Sequence, residues 1–135
     1  MSILRSISAW RHERVIRSQV VSHANRNEQL RKVLLGHKVP LGAPRAIDLH
    51  FWTNGKEAAD RLADALRVRG YDIRVEQPAA SEESGLWNVE ASVNQTPSLT
   101  LSDSFTEDIV RLAVQAGGNY DGWGTAIDPA PQSPE

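Results

Sequence analysis

Hydrophobic and polar residues alternate along three segments of the chain. In the segment 46–52, aliphatic and aromatic residues occupy every second position, and mostly polar side chains fall between them. The same two-residue period recurs at 71–76 and at 87–94. Side chains two positions apart share one face of a strand, so each segment predicts a strand that is buried on one side. The residues predicted on the other, open face are Asp48, His50, Trp52, Asp72, Arg74, Glu76, Asn88, Glu90 and Ser92.

Two helices are predicted between and after these strands. Asn54 with Glu57, and Ser104 with Glu107, have the three-residue spacing of a capping box. Apolar residues then recur at helical spacing, and Gly117-Gly118 predicts the end of the second helix before a last strand. The order strand, helix, strand, strand, helix, strand predicts an α+β, ferredoxin-like sandwich, with both helices on one face of a four-stranded antiparallel sheet.

The N-terminal part of the chain differs from this pattern. Residues 1–38 predict an amphipathic arm of one or two helices, interrupted at Asn25-Arg26-Asn27, and the Pro/Gly-containing segment 39–45 predicts a linker. The ferredoxin-like domain is then expected at 46–127 and a flexible tail at 128–135. The predicted stripe of the arm consists of Ile3, Ile7, Trp10, Arg14, Arg17, Val21 and Ala24.

Charge separates the same two parts of the chain. Residues 1–45 contain nine Lys and Arg against two acids, a net charge of +7, and the remaining residues have a net charge of −9. This asymmetry predicts that the basic arm contacts an acidic surface. Three hypotheses follow: the arm docks on its own domain, over the acidic open face or elsewhere; it docks on a second copy, giving a homodimer through the N-terminal arm; or it binds another molecule, such as a membrane surface.

Composition argues against several classes of function. The chain has no cysteine, which excludes disulfides, thiolate zinc sites and cysteine nucleophiles, and this is consistent with a cytoplasmic protein. Its four histidines are dispersed, and no glycine-rich phosphate loop or nucleophile elbow is present. We therefore expect no enzyme activity, no cofactor and no metal. The predicted open face carries four acids against one arginine, so direct nucleic-acid binding is disfavoured, and no segment is apolar enough for a membrane span.

The most distinctive string in the chain is Tyr120-Asp121-Gly122-Trp123-Gly124-Thr125. We call these six residues the signature. They resemble the C-terminal motif of the RraB family, which are bacterial protein inhibitors of ribonuclease E. The predicted order of elements from residue 46 to 127 is consistent with that family. On this resemblance Tyr120, Asp121, Trp123 and Thr125 are carried over as signature residues, and Gly122 and Gly124 supply its backbone geometry.

The resemblance implies a non-enzymatic regulator in RNA degradation that acts through protein-protein contact. Members of the family bind the noncatalytic, partly Arg-rich region of ribonuclease E and restrain RNA cleavage. Trp123 is then either an anchor of the interface or a core residue beside the last strand. The alternative is a structural or oligomerisation domain with an unrelated protein partner. Unlike the strongly acidic inhibitors of this family, the present chain has a basic arm before a moderately acidic domain.

Overall fold

The computed structural model describes residues 3–79 and 85–127, with side chains from Trp10 onward. The predicted tail at 128–135 lies outside the described residues. Eight elements follow one another along the chain: α1 (Ile3–Gly36), β1 (Arg45–Thr53), α2 (Lys56–Val68), β2 (Asp72–Pro78), β3 (Trp87–Gln95), α3 (Pro97–Leu101), α4 (Asp103–Ala116) and β4 (Gly118–Gly124). None of these helices has the length and apolar composition that a membrane span requires.

The four strands form one antiparallel sheet in the order β2-β3-β1-β4. The central strand β1 alternates as predicted, with Ile47, Leu49 and Phe51 buried beneath the helices and His50 exposed on the opposite face. Helices α2 and α4 contribute Leu62, Leu66, Ile109 and other apolar side chains to the same core. The prediction of an α+β domain with a four-stranded antiparallel sheet is confirmed.

The helix ends differ in detail from the predicted capping boxes. Helix α4 begins after Ser102, whose hydroxyl accepts a hydrogen bond from the Phe105 amide at 3.2 Å, because the short helix α3 comes directly before it. No side chain caps α2, which begins after Gly55. The predicted end of α4 is confirmed, since Gly117 adopts a left-handed conformation with φ of 96°.

Strand β2 departs from strict alternation. Ile73 pairs with Ala91 and Val75 pairs with Glu90, so Arg74 is an extra residue in a β-bulge. Val75 therefore lies on the open face. The placement of Glu76 on that face was wrong, because the bulge shifts the register by one residue and so reverses the side on which each later side chain lies.

The position of Glu76 also explains why its pKa is raised. It lies beside Asp60 of α2, and a hydrogen bond between the two carboxyl groups raises the pKa of Glu76 and lowers the pKa of Asp60. Lys56 donates to Asp60 at 3.0 Å, which also favours the charged form of that carboxylate. Glu76 thus lies on the helix side of the sheet, where it does not contribute charge to the open face.

Helix α1 is continuous from Ile3 to Gly36, so the predicted interruption at Asn25-Arg26-Asn27 was wrong. Its 34 residues span about 51 Å at 1.5 Å per residue. The helix lies antiparallel to α4, with Glu13 bound to Arg111 and Asn27 bound to Thr106. Asn27 does not break the helix because its side chain has partners across this interface.

The buried side of α1 is not the stripe expected from the sequence. Ile16, His23, Asn27 and Leu34 face the domain and are buried. Trp10 and Val21, which belong to the predicted stripe, are each 58% exposed. The polar character of His23 and Asn27 concealed the true packing face, since a search for apolar periodicity does not count them.

The segment after α1 also packs on the domain. Val39 is buried with Leu34 and Leu101 in a second apolar cluster, and the Ser98 amide donates to the Leu41 carbonyl at 2.9 Å. The hypothesis that the arm docks over its own open sheet face was wrong. Its described side chains pack instead on α3, on α4 and along the edge strand β4.

We predict that Gly118→Ala destabilises the domain. A Cβ at this position would lie 2.5 Å from the Trp52 carbonyl oxygen and 2.9 Å from Thr53 Cγ2, so strands β1 and β4 would have to separate. The expected loss of unfolding free energy is about 1–3 kcal/mol, measured by urea denaturation. Gly124→Ala is the matched control, because no atom lies within 4 Å of its added Cβ. Equal stability of the two variants would contradict this account.

Candidate partner-binding site

The signature forms a β-bulge where β4 meets β1. Tyr120 pairs with Phe51, but Gly122 pairs with His50, so Asp121 is an extra residue in β4. Gly122 has φ of 115°, a conformation that side chains with a Cβ rarely adopt. Because of this bulge, Tyr120 and Trp123 both lie on the helix-facing side of the sheet, although they are three positions apart and would lie on opposite faces of a regular strand.

Tyr120 is a core residue. Its side chain is 4% exposed, and its ring lies 4.6 Å from the His23 ring and 5.4 Å from the Phe51 ring, centroid to centroid. Burial raises the pKa of Tyr120 far above its usual range. Among the described residues its hydroxyl has no hydrogen-bond partner. The tyrosine therefore contributes through its ring, and it is not placed to contact a partner protein.

His23 joins α1 to the edge strand. The His23 Nε2–H donates to the Tyr120 carbonyl oxygen at 2.8 Å, and the Arg26 guanidinium donates to His23 Nδ1 at 2.9 Å. Arg26 also donates to the Asp121 carbonyl oxygen at 3.2 Å. This pattern requires a neutral imidazole with its proton on Nε2. Burial, opposed by the hydrogen bond to Tyr120, lowers the pKa of His23 from its ordinary value of 6.5.

Trp123 is half-buried and connects the two apolar clusters of the molecule. Its indole Nε1–H donates to Asn27 Oδ1 at 3.1 Å, and the amide nitrogen of Asn27 donates to Thr106 Oγ1 at 3.1 Å. Of the two roles expected for Trp123, the packing supports the core residue. A chain of hydrogen bonds thus joins β4, α1 and α4.

Thr125 connects the end of β4 to the beginning of β1 through hydrogen bonds. Its hydroxyl donates to the Ala46 carbonyl oxygen at 2.7 Å and accepts from Arg45 Nε at 2.9 Å. Arg45 also donates to the Ala126 carbonyl oxygen. With Thr125, four of the six signature residues have roles in backbone geometry, packing or strand closure. The side chain of Asp121 is exposed, and no atom lies within 4 Å of a Cβ added at Gly124.

The open sheet face gathers most of the other predicted residues. A shallow cavity of about 300 Å³ at its centre is lined by His50, Trp52, Val75, Glu90, Asp121 and their neighbours. His50 Nδ1 lies 3.8 Å from Glu90 Oε2. The sequence did not place Asp121 on this face, because periodicity does not show that Tyr120 pairs with Phe51 and that Asp121 therefore lies beside His50.

Acids dominate this face. Asp48 and Asp72 both pair with Ser92 of β3, one on each side of it, and Arg74 Nη1 lies 3.4 Å from Asp72 Oδ2. With Glu90 and Asp121, four carboxylates face one arginine and one histidine. We call this surface the acidic face; it consists of Asp48, His50, Trp52, Asp72, Arg74, Val75, Glu90 and Asp121. Within residues 3–79 and 85–127, no group of three or more His, Asp or Glu side chains could hold a metal ion.

We predict that Tyr120→Phe leaves the unfolding free energy unchanged or raises it by about 1 kcal/mol. The substitution removes a buried hydroxyl that lacks a partner and keeps the ring in the core. Tyr120→Ala, the contrasting variant, should lose about 3–5 kcal/mol through the cavity that it leaves. Urea denaturation of both variants measures the difference. A large loss of unfolding free energy in Tyr120→Phe would show that the Tyr120 hydroxyl stabilises the fold.

We also predict that stability falls in mild acid because of His23. The pKa of His23 is lowered in the folded state, so the unfolded state binds the proton more readily. The contribution of the neutral imidazole is complete above pH 6.5 and decreases as the pH falls below that value towards the lower folded pKa. Unfolding free energies measured from pH 5 to 8 should show this decrease in the wild type.

His23→Gln provides the comparison for the pH experiment, because a glutamine amide can still donate to the Tyr120 carbonyl and does not titrate. The pH dependence in this range should become shallower in His23→Gln. His37→Gln is the control, since His37 is exposed at the end of α1. An unaltered pH profile in His23→Gln would count against the role of His23.

The sequence model described as "Regulator of ribonuclease activity B" matches residues 24–125. No curated protein matches the chain significantly. The matched range begins at Ala24 within α1 and ends at the last signature residue, so it contains the bulge, the acidic face and the contacts of Arg26 and Asn27 with β4. It covers more than half of the chain, and the chain therefore belongs to the RraB family of ribonuclease regulators.

Proposed function

We propose that this protein is a non-enzymatic regulator that binds a ribonuclease E-type endoribonuclease through protein-protein contact. The acidic face is the surface that we assign to this contact. A regulator of this kind would meet its ribonuclease in the cytoplasm. The family assignment supports a role in regulating ribonuclease activity, and the target enzyme and the surface are our inference.

The observation that carries the proposal is the charge of the acidic face. Glu90 and Asp121 line a depression together with Trp52 and Val75, and Asp48 and Asp72 lie on the same face, where both pair with Ser92. Carboxylates form strong hydrogen bonds with arginine, and an aromatic ring beside them can accept a guanidinium over its face. Such a surface fits an Arg-rich protein segment and repels the phosphates of RNA.

The position of α1 also supports this surface. The described part of the basic arm packs on α3, α4 and the edge of β4, and His50 remains exposed at the centre of the acidic face. A partner can therefore reach the face without displacing the arm. The signature contributes by fixing the sheet beneath it, and Asp121 is the signature residue that we place in the contact.

We further infer that β1–β4 with α2 and α4 form a ferredoxin-like domain. The support is the strand order β2-β3-β1-β4 together with antiparallel pairing of every neighbouring pair. In this arrangement the helices cover one face of the sheet and leave the other for binding. Helix α1 is then an addition that covers α4 and the edge of β4.

We predict that neutralising the acidic face weakens binding to the noncatalytic region of ribonuclease E from the same organism. In titration calorimetry, Asp72→Asn/Glu90→Gln should raise the Kd about tenfold or more, because two charge-assisted contacts are lost. The wild type should bind more weakly as salt is increased.

The control for this experiment is Glu57→Gln/Asp64→Asn, which removes the same charge from exposed positions of α2. Its Kd should stay close to that of the wild type. If both double variants lose affinity equally, net charge and not the acidic face determines binding. If the wild type does not bind at all, the ribonuclease E assignment is wrong, while the family assignment stands.

A further inference from the structure

Helix α1 carries a second stripe that the fold does not use. Trp10, Arg14, Arg17 and Val21 follow one another at intervals of four, three and four residues, which places them on one side of the helix. We call them the outer stripe. All four are exposed, and Trp10 and Val21 are each 58% exposed. The Arg14 guanidinium lies 4.9 Å from the centre of the Trp10 ring.

The outer stripe has the form of a contact surface. It lines a groove of about 380 Å³ together with Glu13 and Ser18. Two exposed apolar side chains flank two arginines here, whereas the opposite side of α1 packs on the domain through Ile16 and His23. The family match begins at residue 24, so the outer stripe lies outside the matched range.

Charge limits what can occupy this stripe. Pairing with the same stripe of a second copy would bring Arg14 and Arg17 against arginines, which is unfavourable. Glu13 is already paired with Arg111, whose guanidinium donates hydrogen bonds to its carboxylate at 2.5 and 3.3 Å. The occupant must therefore be acidic and must offer some apolar surface to Trp10.

The acidic face of another copy meets both requirements. It combines the carboxylates of Glu90 and Asp121 with the half-buried Trp52 and Val75. Its size is also suitable, since Trp10 to Val21 spans about 16 Å of helix and four strands are about 14 Å wide. The stripe cannot reach the acidic face of its own chain while His23 and Asn27 hold α1 against β4 and α4.

We propose that the outer stripe of one copy docks on the acidic face of a second copy. In a two-fold symmetric dimer each copy supplies one stripe and one face, so the contact closes and leaves neither surface free. Trp10 enters the depression near Trp52, and Arg14 and Arg17 meet the carboxylates at its rim. This proposed contact between the outer stripe and the acidic face does not depend on whether the protein binds a ribonuclease.

The dimer has a consequence that does rest on the proposed function. The acidic face cannot bind a ribonuclease segment and the outer stripe of another copy at the same time. At high concentration, self-association would therefore prevent the regulator from binding the ribonuclease segment. Dissociation of the dimer would expose the acidic face again. A monomeric variant should bind the ribonuclease segment at least as well as the wild type does.

Sedimentation velocity of the full chain over a concentration series tests the proposal. The wild type should form dimers that dissociate in about 1 M salt, where charged groups more than about 3 Å apart are screened. Arg14→Glu and Glu90→Lys should each weaken the dimer by about tenfold or more, because each places like charges in both copies of the contact. Lys32→Glu is the control on α1, since Lys32 is exposed away from the outer stripe, and it should dimerise as the wild type does.

Mixing the two reversed variants gives the decisive measurement. In a mixed dimer one contact joins the two reversed charges, and the other contact is that of the wild type. The mixture of Arg14→Glu and Glu90→Lys should therefore dimerise more tightly than either variant does alone. A wild type that stays monomeric at all concentrations would overturn the proposal, and so would a mixture that fails to associate.

These outcomes are separate from those of the ribonuclease experiment. If Arg14→Glu binds the ribonuclease segment but the wild type never dimerises, the proposed function stands and self-association is wrong. If the mixed dimer forms but no variant binds the segment, self-association stands and the ribonuclease partner is wrong. Equal weakening of the dimer by Lys32→Glu and Arg14→Glu would show that total charge, not the outer stripe, controls association.

Discussion

The bulge at Asp121 and Gly122 is the constraint on which the arrangement of the molecule depends. A regular strand would send Tyr120 and Trp123 to opposite faces of the sheet. The extra residue in β4 turns both rings to the helix side, where Tyr120 fills the core between Phe51 and His23. Asp121, the extra residue itself, lies exposed beside His50. The bulge therefore decides the side of Trp123, which packs with the helices.

Helix α1 covers the edge strand β4 next to the bulge. Strand β4 is an edge strand, and such strands expose backbone groups that invite pairing with other chains. Here His23 and Arg26 donate to two carbonyl groups of β4, and Asn27 holds the indole of Trp123. These contacts also decide where the basic arm lies. Because α1 is fixed along β4 and α4, Arg14 and Arg17 are exposed on its outer side, and His50 on the acidic face stays exposed.

Much of the fold could be predicted from the sequence because the central strands are regular. In β1 the two-residue period separates buried Phe51 from exposed His50 correctly. The prediction failed where a bulge adds a residue, as at Arg74, which reversed the assignment of Glu76. It failed again in α1, where His23 and Asn27 occupy buried positions that are normally apolar. Their burial depends on partners about 80 to 100 residues away in sequence, and periodicity along α1 contains no information about those partners.

The signature shows why a distinctive motif need not mark a contact surface. Tyr120, Gly122, Trp123 and Thr125 are distinctive because each satisfies a different steric or hydrogen-bonding demand of the same strand pair. A motif of this kind indicates the fold, and function must then be sought on the surface that the motif supports. We propose that this surface is the acidic face. A net charge of −2 for the whole chain conceals the uneven distribution of its charges, since the basic helix α1 packs on α3 and α4 and the acidic face lies on the other side of the sheet.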